Sequence, residues 1–196
     1  MPRRLALAAV LALLATPVDA QQALPSVAEQ VAAAVLPLPA ELRAGATVLG
    51  YRQPGQLVEL RRGSNGMRCL ALYAVREDFH VACYQDGLEP FMARGRALRV
   101  EGVEGPMVDS VRFREVAERK LKLPAYGTLY SITTQRANFN AATNTVKEAG
   151  LLAVVYIPGA TPESTGLSAR PRRDGPWLMF PGTPKAHIMM VGSMNP

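Results

Sequence analysis

The chain has only two cysteines and two histidines in its 196 residues. A Ser-His-Asp or Cys-His site would therefore have to use His80 or His187, and no G-x-S-x-G nucleophile elbow is present. The C-x-x-C redox motif and the C-x-x-C-H haem attachment site are also missing. These absences argue against the common nucleophilic, redox and haem chemistries, and no cofactor is expected.

Basic residues outnumber acidic residues, 22 to 16, but they are scattered along the chain. Aromatic residues make up 6% of the sequence, with a single tryptophan, and no segment interleaves them with clustered arginines or lysines. Proteins that bind nucleic acid usually collect basic residues on one face or in one motif. Nucleic acid is therefore not expected as a partner.

The long apolar run of this sequence lies at its start. Arg3 and Arg4 precede apolar residues 5–16, a run too short to cross a bilayer, and small residues follow it. This pattern predicts a secretory signal peptide over residues 1–20 with cleavage after Ala20. No later run is long and apolar enough for a transmembrane segment, so the mature chain is expected to be secreted or periplasmic.

Both cysteines lie in a predicted β-hairpin. Residues 67–73 and 79–85 are rich in strand-favouring side chains, and a five-residue loop joins them. A hairpin that is symmetric about the loop centre places Cys69 directly opposite Cys83, close enough for a disulfide in a non-hydrogen-bonded pair. Exported proteins reach oxidising compartments in which disulfides form and persist, so the predicted export favours a disulfide over two free thiols. Reduced thiols would instead offer zinc two ligands, with His80 as a third.

Two further strands precede this hairpin. Residues 46–51 and 56–62 have strand patterns, separated by a Gln-Pro-Gly turn and followed by a Gly-Ser-Asn-Gly turn. Four consecutive strands with short connections predict an antiparallel meander over residues 46–85.

The helical patterns are less uniform. A capping box at Ser26 begins a predicted helix that ends before two prolines, and apolar residues recur at helical spacing over 88–98. Arg99 falls on that apolar stripe, so either the helix ends there or Arg99 snorkels. Residues 107–123 fit a strand or a helix, and the spacing of charge pairs favours a helix.

Taken in order, these patterns predict one α+β domain with a mostly antiparallel sheet and two or three packed helices. The domain spans residues 46–196, and an N-terminal helix with its lead-in occupies residues 21–45. The later strands of the sheet are predicted at 128–134, 151–157, 177–180 and 187–191.

The candidate binding residues lie in the C-terminal part of the chain. Trp177 follows the polar loop 158–176 and could form a ligand platform, or simply fill the core. Asp174 and Glu163 in that loop could act as acid-base partners of His187. A hydrolase-type enzyme built around His187 is therefore one hypothesis.

A copper site is a second hypothesis for the same region. His187 and Met189 would point to the same face of a strand, and imidazole and thioether ligands suit copper. Methionine is also a common core residue, however, and residues 188–191 fit an ordinary buried strand.

Six segments carry a resemblance to other proteins: 62–69, 79–84, 88–95, 160–167, 175–184 and 186–189. In these segments the chain resembles a group of exported bacterial proteins that have no known activity. The resemblance covers most of the mature chain, and it implies no cofactor or catalytic residue.

The sequence is best explained by a non-catalytic exported domain that binds a small ligand or a component of the cell envelope. The hydrolase that uses His187 and the copper-binding protein that uses His187 with Met189 are the alternatives. The nature of the ligand does not follow from the residues.

Export and oxidation can be tested together by intact mass. Protein recovered from a bacterial periplasm and denatured without reductant should have the mass of residues 21–196 less the two thiol hydrogens. Reduction should restore those hydrogens, which serves as the internal control. A mass that includes residues 1–20, or full reaction with a thiol reagent before reduction, would contradict the prediction.

Overall fold

The computed structural model describes residues 24–71, 78–172 and 174–193. Within these ranges the chain forms an eight-stranded sheet, a separate two-stranded hairpin and five helices, three of them longer than one turn. The α+β class and the mostly antiparallel sheet predicted above are confirmed.

The helices and strands alternate in blocks along the chain. The helices are α1 (Val27–Ala34), α2 (Ala40–Arg43), α3 (Glu89–Val100), α4 (Pro106–Ala117) and α5 (Pro162–Thr165). The strands are β1 (Thr47–Gln53), β2 (Gln56–Arg61), β3 (Met67–Leu70), β4 (Asp78–Gln85), β5 (Gly127–Gln135), β6 (Phe139–Asn140), β7 (Thr145–Val146), β8 (Gly150–Tyr156), β9 (Trp177–Met179) and β10 (His187–Ser193). Residues 107–123, which fitted two patterns, are helical as far as Ala117.

The strand order of the large sheet is β2-β1-β3-β4-β5-β8-β10-β9. The predicted meander over residues 46–85 differs at one junction, because β3 pairs in parallel with β1 and not with β2. The turn after β2 folds back across the start of β1: Gly63 N donates to Thr47 Oγ1 at 3.0 Å, and Ser64 N donates to Gly45 O at 2.8 Å. Because these bonds hold the turn across the start of β1, the chain enters β3 on the side of β1 that is opposite β2.

The predicted hairpin register is confirmed for the described residues. Met67 pairs with Gln85 and Cys69 with Cys83, and a disulfide joins the two cysteines. The centre of the loop, residues 72–77, lies outside the described residues. Both cysteines are fully buried on the face of the sheet that α1 covers.

Helix α1 covers one face of the sheet. The predicted capping box is present, with Ser26 Oγ accepting from Glu29 N and the Glu29 carboxylate accepting from Ser26 N. Ala34 packs into the same apolar cluster as the disulfide. The buried Gln30 side chain accepts from Tyr51 N at 2.8 Å and donates to Tyr51 O at 2.7 Å, which ties α1 to β1.

Helices α3 and α4 lie on the opposite face. Leu88 and Met92 contact an apolar cluster that contains Tyr84 of β4 and Tyr156 of β8. Because side chains alternate along a strand, the neighbours of the buried cysteines point to this second face. Among the described residues, no helix is both long and apolar enough to cross a membrane.

We expect the disulfide to stabilise the fold substantially. The double variant Cys69→Ala/Cys83→Ala should lose roughly 3 kcal/mol of unfolding free energy, because the bond closes a loop with a sequence separation of 14. Urea unfolding of the oxidised protein, the reduced protein and the double variant measures this loss. The reduced wild type controls for packing, since it keeps both sulfur atoms. Equal stability of the oxidised and reduced proteins would contradict the prediction.

Candidate functional site: a basic groove on the sheet

A groove runs over the sheet face beneath α3. It consists of two adjoining cavities of about 330 and 250 Å³ that share Leu70, Ala82 and Arg96. Leu70 of β3 pairs with Ala82 of β4. Leu70 directly follows Cys69, and Ala82 directly precedes Cys83. Alternation along the strands therefore places the disulfide on one face and the floor of this groove on the other. We call the two cavities together the sheet groove.

The outer cavity of the sheet groove is bounded by the edge of the sheet. Tyr51 of β1 and Leu57 of β2 line it with His80 of β4. His80 is half-buried, and its Nδ1 lies 2.8 Å from the Thr133 hydroxyl on the neighbouring strand. This end therefore presents mainly apolar and aromatic surface with one imidazole.

A hydrogen-bonded network crosses the middle of the groove. Arg96 donates to the Tyr84 hydroxyl at 2.8 Å and to the Glu89 carboxylate at 2.7 Å. The Tyr84 hydroxyl donates to the other Glu89 oxygen at 2.5 Å. Burial, reinforced by the Glu89 hydrogen bond, raises the pKa of Tyr84 far above its usual range, so Tyr84 stays a donor at neutral pH. The network holds the Arg96 guanidinium in one position.

The inner cavity contains a buried arginine. Arg112 of α4 is only 5% exposed, its guanidinium stacks 3.9 Å from the centre of the Phe91 ring, and Nη1 donates to Phe91 O at 3.1 Å. Its Nη2 pairs with Asp109, and Asp109 also accepts from Lys185 Nζ at 2.8 Å. The Arg112 Nε has no hydrogen-bond acceptor within the described part of the chain.

Arg112 and Lys185 in the inner cavity thus share one carboxylate, that of Asp109. Burial acts to raise the pKa of Asp109, but hydrogen bonds from Lys185 and Arg112 outweigh it and hold that pKa below its usual value. Asp109 is therefore ionised at neutral pH and neutralises only one of its two partners.

Arg99 adds a third cation at the mouth of the inner cavity. It is exposed, and Nη1 donates to the Gly95 carbonyl at 2.9 Å. A Cβ at Gly95 would lie 2.9 Å from Arg112 Nη1 and 3.5 Å from Arg99 Nη1. The missing side chain at this position leaves room for both guanidinium groups to approach α3.

His187, the candidate residue of both alternative hypotheses, contacts Tyr156 and Lys185, which line this cavity. It is 5% exposed, its ring centre is 4.9 Å from that of Tyr156, and Nδ1 is 2.6 Å from Lys185 O. A carbonyl can only accept, so Nδ1 carries the proton. Burial lowers the pKa of His187, which leaves the imidazole neutral at pH 7. His187 therefore fixes the backbone at Lys185, whose amine reaches into the groove.

The other predicted binding residues lie apart from this centre. Trp177 is 8% exposed in β9, and its indole Nε1 is buried without a partner within the described ranges. Asp174 pairs with Arg172 at the surface, and Glu163 is exposed on α5. In the described structure neither carboxylate makes a hydrogen bond or an ion pair with His187.

Met189 and His187 share the α3 side of β10, as their spacing predicted. Met189 packs against the apolar cluster of Tyr84 and Tyr156. The described residues contain no group of three or more His, Cys, Asp or Glu side chains that could hold a metal ion. The zinc arrangement that required reduced thiols is absent, because both cysteines are in the disulfide.

Most of the residues that line the groove were not predicted from the sequence. The one available signal was the position of Arg99 on the apolar stripe of α3. The helix does continue past it, to Val100, and the arginine lines the inner cavity. Arg112 gave no such signal, since the segment around it alternates like a strand. Comparisons with protein-family models, with curated proteins and with solved structures found no match to this chain.

The buried imidazole predicts a pH dependence of stability. Because the folded pKa of His187 lies below its unfolded value near 6.5, the unfolded chain binds the extra proton first, and stability falls as the pH drops through about 6.5. His187→Asn should keep a donor near Lys185 O and remove this titration.

Urea unfolding between pH 7.5 and pH 5 measures the effect. The wild type should lose more unfolding free energy than the variant over this range, at most about 1.4 kcal/mol per pH unit for one group. His80 is present in both proteins and cancels in the comparison. Identical pH slopes would show that His187 has an unshifted pKa.

Proposed function

We propose that this chain is a non-catalytic binding module that takes a small ligand in the sheet groove. One observation carries the proposal: two adjoining cavities share an apolar floor and an arginine that the protein holds in position. Ligand pockets typically combine an apolar lining with a few oriented polar groups. Here Leu70 and Ala82 supply the lining and Arg96 the oriented group.

The polar groups of the groove are held in place by other protein side chains. Arg96 is held by Glu89 and by the Tyr84 hydroxyl, and Lys185 is held by Asp109. Pre-organised groups lose little conformational entropy on binding, which favours affinity for a small molecule. A fixed groove of this size supports a small ligand over a large envelope component as the partner.

The hydrolase alternative receives less support from the geometry. A catalytic His187 would need an open cleft with a hydroxyl on one side and a carboxylate on the other. The imidazole is instead buried, and its Nδ1 proton is bound to the Lys185 carbonyl. Copper binding receives less support for a similar reason, since Met189 is packed against the core cluster beside Tyr156.

We also propose that the module acts outside the cytoplasm. The disulfide supports this, because disulfides form and persist in oxidising compartments. The signal pattern over residues 1–20 adds to the argument. In this proposal the ligand is a small molecule that the protein meets in the periplasm or after secretion.

Filling the groove floor should weaken binding. Ala82 lines both cavities, so Ala82→Phe places an aromatic ring where the ligand would lie. We expect the affinity for anilinonaphthalene sulfonate, an amphipathic fluorescent probe, to fall about tenfold or more. Fluorescence titration of the folded protein measures this affinity.

Gln135→Phe is the matched control, because Gln135 is an exposed strand position that lines neither cavity. The control should bind the probe as the wild type does, and circular dichroism should show that all three proteins are folded. Equal probe affinity in the wild type and Ala82→Phe would place the binding elsewhere and overturn the proposed function.

A further inference from the structure

We infer that the inner end of the sheet groove is a subsite for an oxyanion, the carboxylate or phosphate head of an amphipathic ligand. This inference rests on the proposed function and adds the chemical class of the ligand. It depends on the charge balance around Arg112, on an unsatisfied donor, and on the apolar surface that adjoins both.

The inner cavity has an excess of positive charge. Arg99, Arg112 and Lys185 line it, and the one carboxylate that contacts these cations in the described structure is Asp109. Like charges that line one cavity repel each other, and solvent screens this repulsion least at the buried Arg112. An anion that enters the cavity would reduce this repulsion.

The middle of the groove provides an internal comparison. Arg96 faces the same space, but Glu89 and Tyr84 satisfy it within the protein. Glu89 balances the charge of Arg96, whose remaining N–H groups can still orient a ligand. In the inner cavity, by contrast, Asp109 balances only one of the three positive charges of Arg99, Arg112 and Lys185.

The hydrogen bonding of Arg112 supports the same conclusion. It is 5% exposed, and its Nε has no acceptor among the described residues, although buried polar atoms are nearly always paired. Because Arg112 also lines the inner cavity, its guanidinium keeps one unsatisfied donor in the cavity wall. A carboxylate or phosphate oxygen is the acceptor that guanidinium groups bind most strongly.

Arg99 is placed to complete the subsite. Arg99 Nη1 and Arg112 Nη1 both lie beside Gly95, and Arg99 donates to the Gly95 carbonyl without a carboxylate partner among the described residues. Two guanidinium groups that line one cavity can donate to separate oxygens of one anion. Because Arg99 is exposed, it can reach a ligand without any change in the core.

The surroundings of the cations define the rest of the ligand. Met92 and Leu129 line the inner cavity, and Leu70 and Ala82 continue the apolar floor into the outer cavity. A ligand that places its anionic head beside Arg112 would lay its body along this floor. A carboxylate and a phosphate share this chemistry, so both are tested.

Isothermal titration of the full mature protein tests the inference with octanoate, octyl phosphate and octylamine. We expect octanoate or octyl phosphate to bind, and the tighter of the two identifies the head group. Arg99→Gln should weaken that binding about tenfold, because one charge-assisted contact is lost. Octylamine, with the same chain and the opposite charge, should not bind.

Arg114→Gln is the matched control. It removes the same charge from an exposed position of α4 that lines neither cavity, so it should leave affinity unchanged. Equal affinity of Arg99→Gln and the wild type, or binding of octylamine as tight as that of the anions, would overturn the subsite. In either case a loss of probe binding in Ala82→Phe would still support the groove as a binding site. Failure of all probes in the wild type would overturn both proposals.

Discussion

The register between β3 and β4 is the constraint on which both faces of this sheet depend. Because side chains alternate, the pairing that joins Cys69 to Cys83 on the α1 face also sets Leu70 opposite Ala82 on the α3 face. A shift by one residue would exchange the two sets. The disulfide excludes that shift, so the same covalent bond that stabilises the core also secures the floor of the groove.

The second feature of the molecule is the uneven distribution of charge along that floor. Arg96 is neutralised within the protein, whereas Asp109 is shared by two cations and Arg99 is left with a backbone partner. Groups whose charges and hydrogen bonds are balanced within the protein contribute to stability, and cations left unbalanced can attract an anionic ligand. His187 belongs to the first class, since its proton is bound to the backbone of Lys185.

Local patterns predicted much of the fold and little of the site. The capping box at Ser26, the register of the cysteine hairpin and the helix over 88–98 were all confirmed, because each depends on neighbours in the chain. The parallel pairing of β3 with β1 was not predicted, because it depends on hydrogen bonds between the turn after β2 and the start of β1. His187 was noticed in the sequence for its chemistry, but its burial and its backbone partner were not visible there.

By itself the sequence determined most of the long helices and strands, the pairing of the cysteines and the α+β class, since short-range periodicity and turn chemistry encode them. Only the tertiary structure decided the groove. Arg99, Arg112 and Lys185 come from α3, α4 and the turn before β10, and they meet because both helices pack on one face of the sheet. No local sequence pattern indicates that these three side chains lie together, because their proximity depends on contacts between segments far apart in the chain.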